Sequence, residues 1–168
     1  MGNIDAAFAA SREAVQQLIA AGERNGPTFT VARASGKWSP AQIVEHVARS
    51  LEESANMAAA RPSKFPRLPG LVQPVVRALL FKRVLRNSTF PKARTNKAMD
   101  PTDGPATPTD GRKRLEAAHR SFEEACRQAA SGTGRMPTTI FGTVAVEDYV
   151  RFMELHTRHH CGQMPLSR

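Results

Sequence analysis

Three histidines lie within five residues near the C-terminal end of the sequence, in the run ELHTRHHCGQM. His156 and His160 are four residues apart, which places both imidazoles on one face of a helix, about 6 Å apart along its axis. Imidazole is the commonest metal-ligand side chain, and two at this spacing can bind one ion. His159 forms a competing pair with His156. A polar helix face without a metal would explain the same pattern.

An earlier histidine, His46, borders the apolar stripe of a predicted helix, because it directly precedes Val47 and follows Ile43 by three residues. A single histidine at such a position is commonly a buried structural residue. Together with His156 and His160, however, it would complete a site of three imidazoles. Such a site leaves at least one coordination position open, which is typical of catalytic rather than structural metal sites.

Four further residues lie near these positions in the predicted helices. His119 lies on an apolar face, where it is either a further ligand or, as we expect, a buried packing residue. Glu53, two turns after His46, could accept a hydrogen bond from a ligand imidazole, or it is an exposed charge. Cys161 should face away from the preceding histidine, since one residue turns a helix by about 100°. Gln163 could border the site.

Four long amphipathic helices are predicted to position these side chains. The second has the clearest start, because Ser39 is a candidate N-cap, Pro40 occupies the first helical position and Gln42 completes a capping box. Trp38, just outside, can pack on the next turn. The four helices are predicted from Asn3 to about Ala21, where Gly22 would end the first; from Ser39 onward; from Thr109 or Asp110 to about Ala130, with a buried stripe of Leu115, Ala118, Phe122, Ala125 and Cys126; and from Val146 to Met164 before Pro165.

The connections add one short helix and no clear strand. LVQPVVRALLFKRVL predicts a short amphipathic helix, and extended backbone is conceivable at Phe29 to Ala32. We expect an all-α four-helix bundle in one domain, residues 1–168, with a crossover insert at 61–108. The connection between the second and third long helices exceeds forty residues, so these two helices can run in the same direction. The side chains expected to point inward from the short helix are Leu71, Val72, Val75, Val76, Leu79 and Leu80.

The net charge of +9 is concentrated in one segment of the sequence. Between Ser54 and Met99 there are ten Lys or Arg and no acidic residue, whereas the rest of the chain is close to neutral. A solvated loop surface explains this, and nucleic acid, an anionic membrane or an acidic ligand are the alternatives. Nucleic acid is disfavoured, because no binding motif is present and the aromatics do not alternate with the charges. The ten are Arg61, Lys64, Arg67, Arg77, Lys82, Arg83, Arg86, Lys92, Arg94 and Lys97.

Cysteine usage and the apolar runs suggest a compartment. Two cysteines, Cys126 and Cys161, do not make a disulfide framework, so we expect free thiols in a reducing, cytoplasmic setting. The N-terminal residues lack a basic region followed by an apolar core, so no signal peptide is expected. The longest apolar run is too short to cross a bilayer, and we therefore expect no membrane partner.

Several of these runs, in this order and spacing, resemble one protein family. GKWSPAQIVEHVARSLE, the insert with FKRVL, and FGTVAVEDYVRFMELHTRHH near the end are similar to the DinB/YfiT-like superfamily, and to a branch of it without an assigned reaction. The resemblance spans about Trp38 to Met164. It implies a four-helix bundle with up-down-down-up topology and a metal site made of one histidine on the second helix and two on the last.

The resemblance also implies a ligand set and a class of function. By position the metal ligands would be His46, His156 and His160, and the metal would be zinc or nickel. Relatives include thiol-dependent transferases and isomerases that use mycothiol or bacillithiol. We therefore expect a metal-dependent transferase or hydrolase acting on a small molecule, either anionic or a low-molecular-weight thiol. The alternative is a non-catalytic bundle that binds or oligomerises around a structural or vestigial metal site. A homodimer is also possible on the sequence alone.

Overall fold

The computed structural model describes residues 4–91 and 95–165, and in these ranges the chain is mostly helical, as the sequence predicts. The two short helices α3 and α4 are joined by a π-helical turn, so residues 73–87 form one continuous helical stretch. None of the described helices is both long and apolar enough to span a bilayer. The helices are α1 (Ile4–Arg24), α2 (Pro40–Ala58), α3 (Gln73–Val76), the π-helical turn (Arg77–Phe81), α4 (Lys82–Asn87), α5 (Pro108–Ser131) and α6 (Val146–Cys161).

The core lies between the four long helices, where α2 packs mainly on α5 and α1 packs mainly on α6. The predicted stripe of α5 is confirmed, since all five of its side chains are buried. Each large apolar side chain that is removed from water in this way contributes about 1.5–3 kcal/mol. The largest fully buried side chains include Phe8, Leu18, Leu51, Leu115, Phe122 and Val150.

The predicted start of α2 is confirmed in detail. The Ser39 hydroxyl accepts a hydrogen bond from the backbone N–H of Gln42 at 3.2 Å, and the Gln42 side chain accepts the N–H of Ser39 at 2.9 Å. Pro40 occupies the first helical position. This reciprocal cap satisfies two backbone donors that the first turn leaves unpaired. It therefore fixes where α2 begins, and with it the position of every side chain that follows.

The boundaries of the other long helices differ from the predictions. Helix α1 continues to Arg24, so Gly22 does not end it. Gly22 is instead buried within the helix, where an added β-carbon would lie 3.3 Å from the Phe29 ring. Helix α6 ends at Cys161, three residues before the predicted end. Residues 29–31 form turns and a bend rather than extended backbone, and Asn3, where the first helix was predicted to begin, lies outside the described residues.

A small antiparallel hairpin, absent from the prediction, precedes α6. Strand β1 (Arg135–Thr138) pairs with β2 (Gly142–Ala145), with Met136 opposite Val144. Strands of four residues are too short for an alternating pattern to stand out in the sequence. Gly142 has φ of +70°, a conformation that glycine adopts without strain. The hairpin places the Phe141 side chain in the core beside α6.

The inward stripe that we predicted for the short helix is mostly wrong. Leu71 is 93% exposed, and Val72, Val75 and Leu79 are exposed as well. The buried side chains of this stretch are Phe81 and Val84. The prediction assumed one α-helix over the whole run, whereas Leu71 and Val72 lie in a turn before the helix begins and the π-helical turn changes which later side chains face the core.

The end of the crossover insert is held against the first turn of α2. The Gln42 side-chain amide donates to the carbonyl oxygens of Pro101 at 3.2 Å and Thr102 at 3.3 Å. A β-carbon at Gly104 would lie 2.3 Å from the carbonyl oxygen of Ala41, which is far inside van der Waals contact. Only glycine therefore fits where the insert meets the helix.

We expect Gly104→Ala to lower the free energy of unfolding by about 1–3 kcal/mol, because the atom it would meet belongs to helix backbone that cannot move aside. Gly70→Ala is the matched control, since no atom lies within 4 Å of a β-carbon there. Denaturant unfolding of both variants measures the difference. Equal unfolding free energies for the two variants would contradict the proposed close packing.

Candidate metal centre

The structure brings together three histidines that are far apart in the sequence. Helix α2 carries His46, and α6 carries His156 and His160. The Nε2 atom of His156 lies 3.4 Å from Nε2 of His46 and 3.2 Å from Nε2 of His160. One nitrogen from each ring lies within 4.8 Å of the other two, so these rings could hold one metal ion. We call these three residues the histidine cluster.

Two of the three rings are oriented by hydrogen bonds from their outer nitrogens. His46 Nδ1–H donates to the carbonyl oxygen of Met99 at 2.8 Å. His160 Nδ1–H donates to Oε1 of Gln163 at 2.9 Å. Since Nδ1 carries the proton in both rings, each neutral ring directs the lone pair of Nε2 toward the centre of the cluster. Hydrogen bonds of this kind orient metal-binding histidines and raise their basicity.

The third ring has no such partner. His156 Nδ1 is a buried atom without a hydrogen-bond partner among the described residues. A proton on His156 Nε2 could be shared with only one of the two facing lone pairs, so protein hydrogen bonds cannot satisfy all three inner nitrogens at once. A bound cation would satisfy all three.

Burial keeps the histidine cluster in the uncharged form. Desolvation lowers the pKa of all three imidazoles. For His160, burial and the neighbouring His46 lower the pKa to about 3, although the hydrogen bond to Gln163 acts in the opposite direction. His156 is also affected by His160, which lowers its pKa further. Neutral imidazole is the form that binds a metal, so the cluster is ready to bind without first losing protons.

Aromatic rings cover the histidine cluster on two sides. The Trp38 ring lies 4.8 Å from the His46 ring between centroids, and 6.0 Å from that of His160. The Phe90 ring lies 5.5 Å from the His156 ring. An apolar shell of this kind limits access of water and lowers the local dielectric, which strengthens interactions with a bound ion.

A cavity of about 630 Å³ opens beside the histidine cluster. Its walls are mostly apolar, and the crossover insert supplies part of them. No described Lys or Arg of residues 61–97 lines the cavity; the cation there is Lys37, which precedes α2. The described residues of the crossover insert that line the cavity are therefore apolar or neutral. The insert residues in the wall are Phe65, Pro66, Leu80, Phe90, Pro91, Thr95, Asn96 and Met99.

Two polar residues that the sequence associated with the site have other roles. Glu53 is buried, and its Oε2 accepts the backbone N–H of Lys64 at 2.7 Å, so it is neither an exposed charge nor a partner of a ligand imidazole. It fixes the start of the insert on α2. His159 is exposed and lies outside the histidine cluster. The Gln163 amide donates to its Nε2 at 3.0 Å.

His119 and the cysteines are separate from the histidine cluster. His119 is buried between α5 and α1, with Nε2 3.0 Å from the Ser11 hydroxyl, so it is not a further ligand. Cys126 and Cys161 are free. Burial raises the pKa of the Cys161 thiol, which disfavours the thiolate that a nucleophile or ligand requires.

The sequence did not indicate two of the groups that build this centre. The carbonyl oxygen of Met99 belongs to the backbone, and a backbone acceptor leaves no signal in residue type. Trp38 was expected to pack on α2, and nothing in its position indicated stacking on the histidines. Its place directly before the helix cap, about two turns from His46, is the only hint in the sequence.

A comparison with protein families agrees with this arrangement. A family model described as the DinB superfamily matches residues 7–164, which is nearly the whole chain. Neither a curated protein nor a solved structure matches the sequence. The matched range includes all three residues of the histidine cluster.

The pKa of His119 gives a prediction about stability. Burial lowers this pKa from its ordinary value of 6.5, so below that pH the unfolded chain binds a proton that the folded chain does not. The contribution of His119 to the free energy of unfolding is therefore fully present above about pH 6.5. It is lost as the pH falls, by at most about 1.4 kcal/mol per pH unit. We expect the His119→Gln variant, which cannot gain this charge, to lose less stability between pH 7 and pH 5.

Denaturant unfolding of both proteins with a chelator present measures this difference. The histidine cluster then titrates equally in both proteins, so its contribution cancels from the difference between their unfolding free energies. If both proteins lose the same free energy of unfolding between pH 7 and pH 5, His119 does not contribute to the pH dependence of stability.

Proposed function

This chain belongs to the DinB superfamily, and we propose that it is a divalent-metal-dependent enzyme whose metal is bound by His46, His156 and His160. The reaction is of the thiol-dependent transferase or hydrolase type. The observation that carries the proposal is the convergence of three inner nitrogens at a single point beside a cavity.

The donor set fits a divalent transition metal. Three neutral imidazoles, two of them oriented by outer hydrogen bonds, suit zinc or nickel better than calcium or magnesium, which prefer oxygen ligands. The outer Nδ1 of His156 has no hydrogen-bond partner among the described residues, in contrast to the other two rings. For His46 and His160, the outer Nδ1 already has the hydrogen-bond partner that metal-binding histidines commonly have.

Three protein ligands leave a coordination position for water or a substrate thiol. A metal bound here would lower the pKa of that water or thiol and so supply a nucleophile near neutral pH. The chain's own contribution is to hold the ligands rigidly, since each comes from a long helix, and to exclude bulk water with the Trp38 and Phe90 rings. The adjoining cavity supports the catalytic alternative over a closed structural site.

The cavity walls suggest the kind of substrate. Apolar side chains dominate, so a substrate with an apolar part would be bound there in addition to any thiol. The expected attraction of an anionic substrate by residues 61–97 receives no support, because none of their described charges lines the cavity. Lys37 is the cation that could contact an anionic group.

The finer architecture is part of the same proposal. We expect residues 1–168 to form one four-helix bundle with up-down-down-up topology and the crossover insert 61–108. The connection between α2 and α5 is long enough to cross the bundle, so these two helices can run in the same direction. A second copy is not required to complete the histidine cluster, so a homodimer would serve another purpose.

Replacing any one ligand should remove the metal. We expect His46→Ala, His156→Ala and His160→Ala to lower zinc or nickel affinity by several orders of magnitude and to abolish turnover in a panel of thiol and electrophile pairs. The wild-type protein should gain thermal stability with added metal, by an amount that follows its affinity. Metal analysis, titration calorimetry and the turnover panel measure these effects.

His119→Gln is the matched control, because His119 is a buried histidine that belongs neither to the histidine cluster nor to the cavity wall. Gln163→Met, which removes the acceptor of the His160 ring, should lower affinity by about 10–100-fold, as losses of outer hydrogen bonds commonly do. Stoichiometric metal in the His46→Ala and His160→Ala proteins would refute the site. Metal binding without metal-dependent turnover would instead favour the non-catalytic alternative.

A further inference from the structure

None of the described Lys and Arg of residues 61–97 is paired with an acidic residue, whereas six of the thirteen described ones elsewhere are. Six arginines outside this segment form ion pairs, several of them between helices. Within the described ranges, none of the eight Lys and Arg of residues 61–97 has an ion pair, and all of them except Arg77 are exposed. The paired arginines are Arg12, Arg49, Arg112, Arg114, Arg127 and Arg158.

Four of the five exposed large hydrophobic side chains that the structure describes belong to the same segment. Leu71 is 93% exposed, Leu79 69%, Val75 56% and Val72 41%. The fifth, Val31, lies in the loop after α1. Exposed apolar residues scattered singly need no explanation, but a contiguous group indicates an interaction surface.

These apolar side chains and three of the basic ones are exposed along the helical stretch 73–87 and on the two residues directly before it. Leu71, Val75 and Leu79 recur every fourth residue, and Lys82, Arg83 and Arg86 continue the exposed side over the next turns. We call these six residues, with Val72, the docking surface.

The opposite side of the stretch is fixed to the rest of the protein. The Phe81 ring lies 5.0 Å from that of Phe141 and 5.1 Å from that of Phe152, between centroids. Arg77 Nη1 donates to the carbonyl oxygen of Thr143 at 3.1 Å, which ties the stretch to strand β2. The apolar residues of the docking surface are therefore held outward by a packed inner side, and no part of the described chain covers them.

We propose that the docking surface binds the surface of an anionic lipid bilayer. Leucine and valine side chains on a helix that lies in the plane of the membrane are buried at the boundary between head groups and acyl chains, while neighbouring Lys and Arg contact the anionic head groups. The segment carries ten basic residues and no acid between Ser54 and Met99, which complements such a surface. This function is independent of the histidine cluster.

The charge pattern argues against the other occupants. In a symmetric dimer through this surface, the basic residues of one copy would face those of the other, and like charges repel. Nucleic acid would be complementary in charge but would leave Leu71, Val75 and Leu79 exposed to water or against phosphates, without aromatic rings for stacking. Of these three occupants, the lipid surface is the one that takes up both kinds of side chain.

The proposal revises one expectation from the sequence. We expected no membrane partner because no run is long enough to cross a bilayer, and none of the described helices is. A helix that lies on the surface needs no such length. Since Leu80 of the same stretch lines the cavity, a membrane-bound protein would hold its cavity wall next to the lipid.

Co-sedimentation of the full-length protein with lipid vesicles tests the proposal. We expect binding to vesicles that contain phosphatidylglycerol, weak or no binding to pure phosphatidylcholine vesicles, and a fall in binding with added salt. Lys82→Ala/Arg83→Ala/Arg86→Ala should lower the partition coefficient by about a hundredfold at low ionic strength. Leu71→Ser/Leu79→Ser should lower it by at least tenfold, because apolar burial is lost.

Each variant has a matched control on another exposed part of the chain. Val31→Ser removes the remaining exposed hydrophobic side chain. Arg33→Ala/Lys113→Ala/Arg120→Ala removes three exposed charges outside the segment. Both controls should bind the anionic vesicles as the wild-type protein does, and circular dichroism checks that all variants are folded.

Three results would overturn the proposal. The first is absence of wild-type binding to phosphatidylglycerol vesicles. The second is a dimer in solution that Leu71→Ser/Leu79→Ser dissociates while lipid binding is absent, which would identify a second copy as the occupant. The third is binding to duplex DNA, without binding to lipid, that the charge variant loses and the leucine variant retains.

Discussion

The proposed metal centre depends on three neutral imidazoles whose inner nitrogens converge: Nε2 of His46 and Nε2 of His160 lie 3.4 Å and 3.2 Å from Nε2 of His156. Lone pairs at this separation repel unless a proton or a cation lies between them. Two outer hydrogen bonds prevent His46 and His160 from turning away, and burial opposes protonation. A bound cation would satisfy all three inner nitrogens at once, and this supports the proposal that the histidine cluster binds a metal.

The crossover insert participates in this centre. It supplies the carbonyl oxygen of Met99 and the ring of Phe90, and it builds much of the cavity wall. Its ends are fixed on α2 by Glu53, which accepts the Lys64 N–H, and by the packing of Gly104 on Ala41. The side chains of the insert that line the cavity are apolar or neutral, whereas its described Lys and Arg, apart from Arg77, are exposed. One segment can therefore serve both the cavity and an external surface.

The sequence predicted those parts of the structure that depend on local spacing. The cap of α2, the stripe of α5 and the pairing of His156 with His160 follow from periodicities that a helix imposes. The contact between His46 and α6 was inferred from residue type and from the family resemblance. The π-helical turn, the hairpin and the role of Glu53 were not predicted, because each depends on contacts between segments far apart in the chain. Backbone groups such as the Met99 carbonyl leave no trace in residue identity.

The central claim is that one ion is bound by three imidazoles and by no sulfur ligand of the protein. X-ray absorption spectroscopy of the zinc-loaded protein tests this most directly. The account predicts nitrogen or oxygen scatterers at about 2.0–2.1 Å, with the outer-shell pattern of three imidazole rings. A sulfur scatterer at about 2.3 Å, which would indicate Cys161, or a spectrum with fewer than two imidazole rings would contradict it.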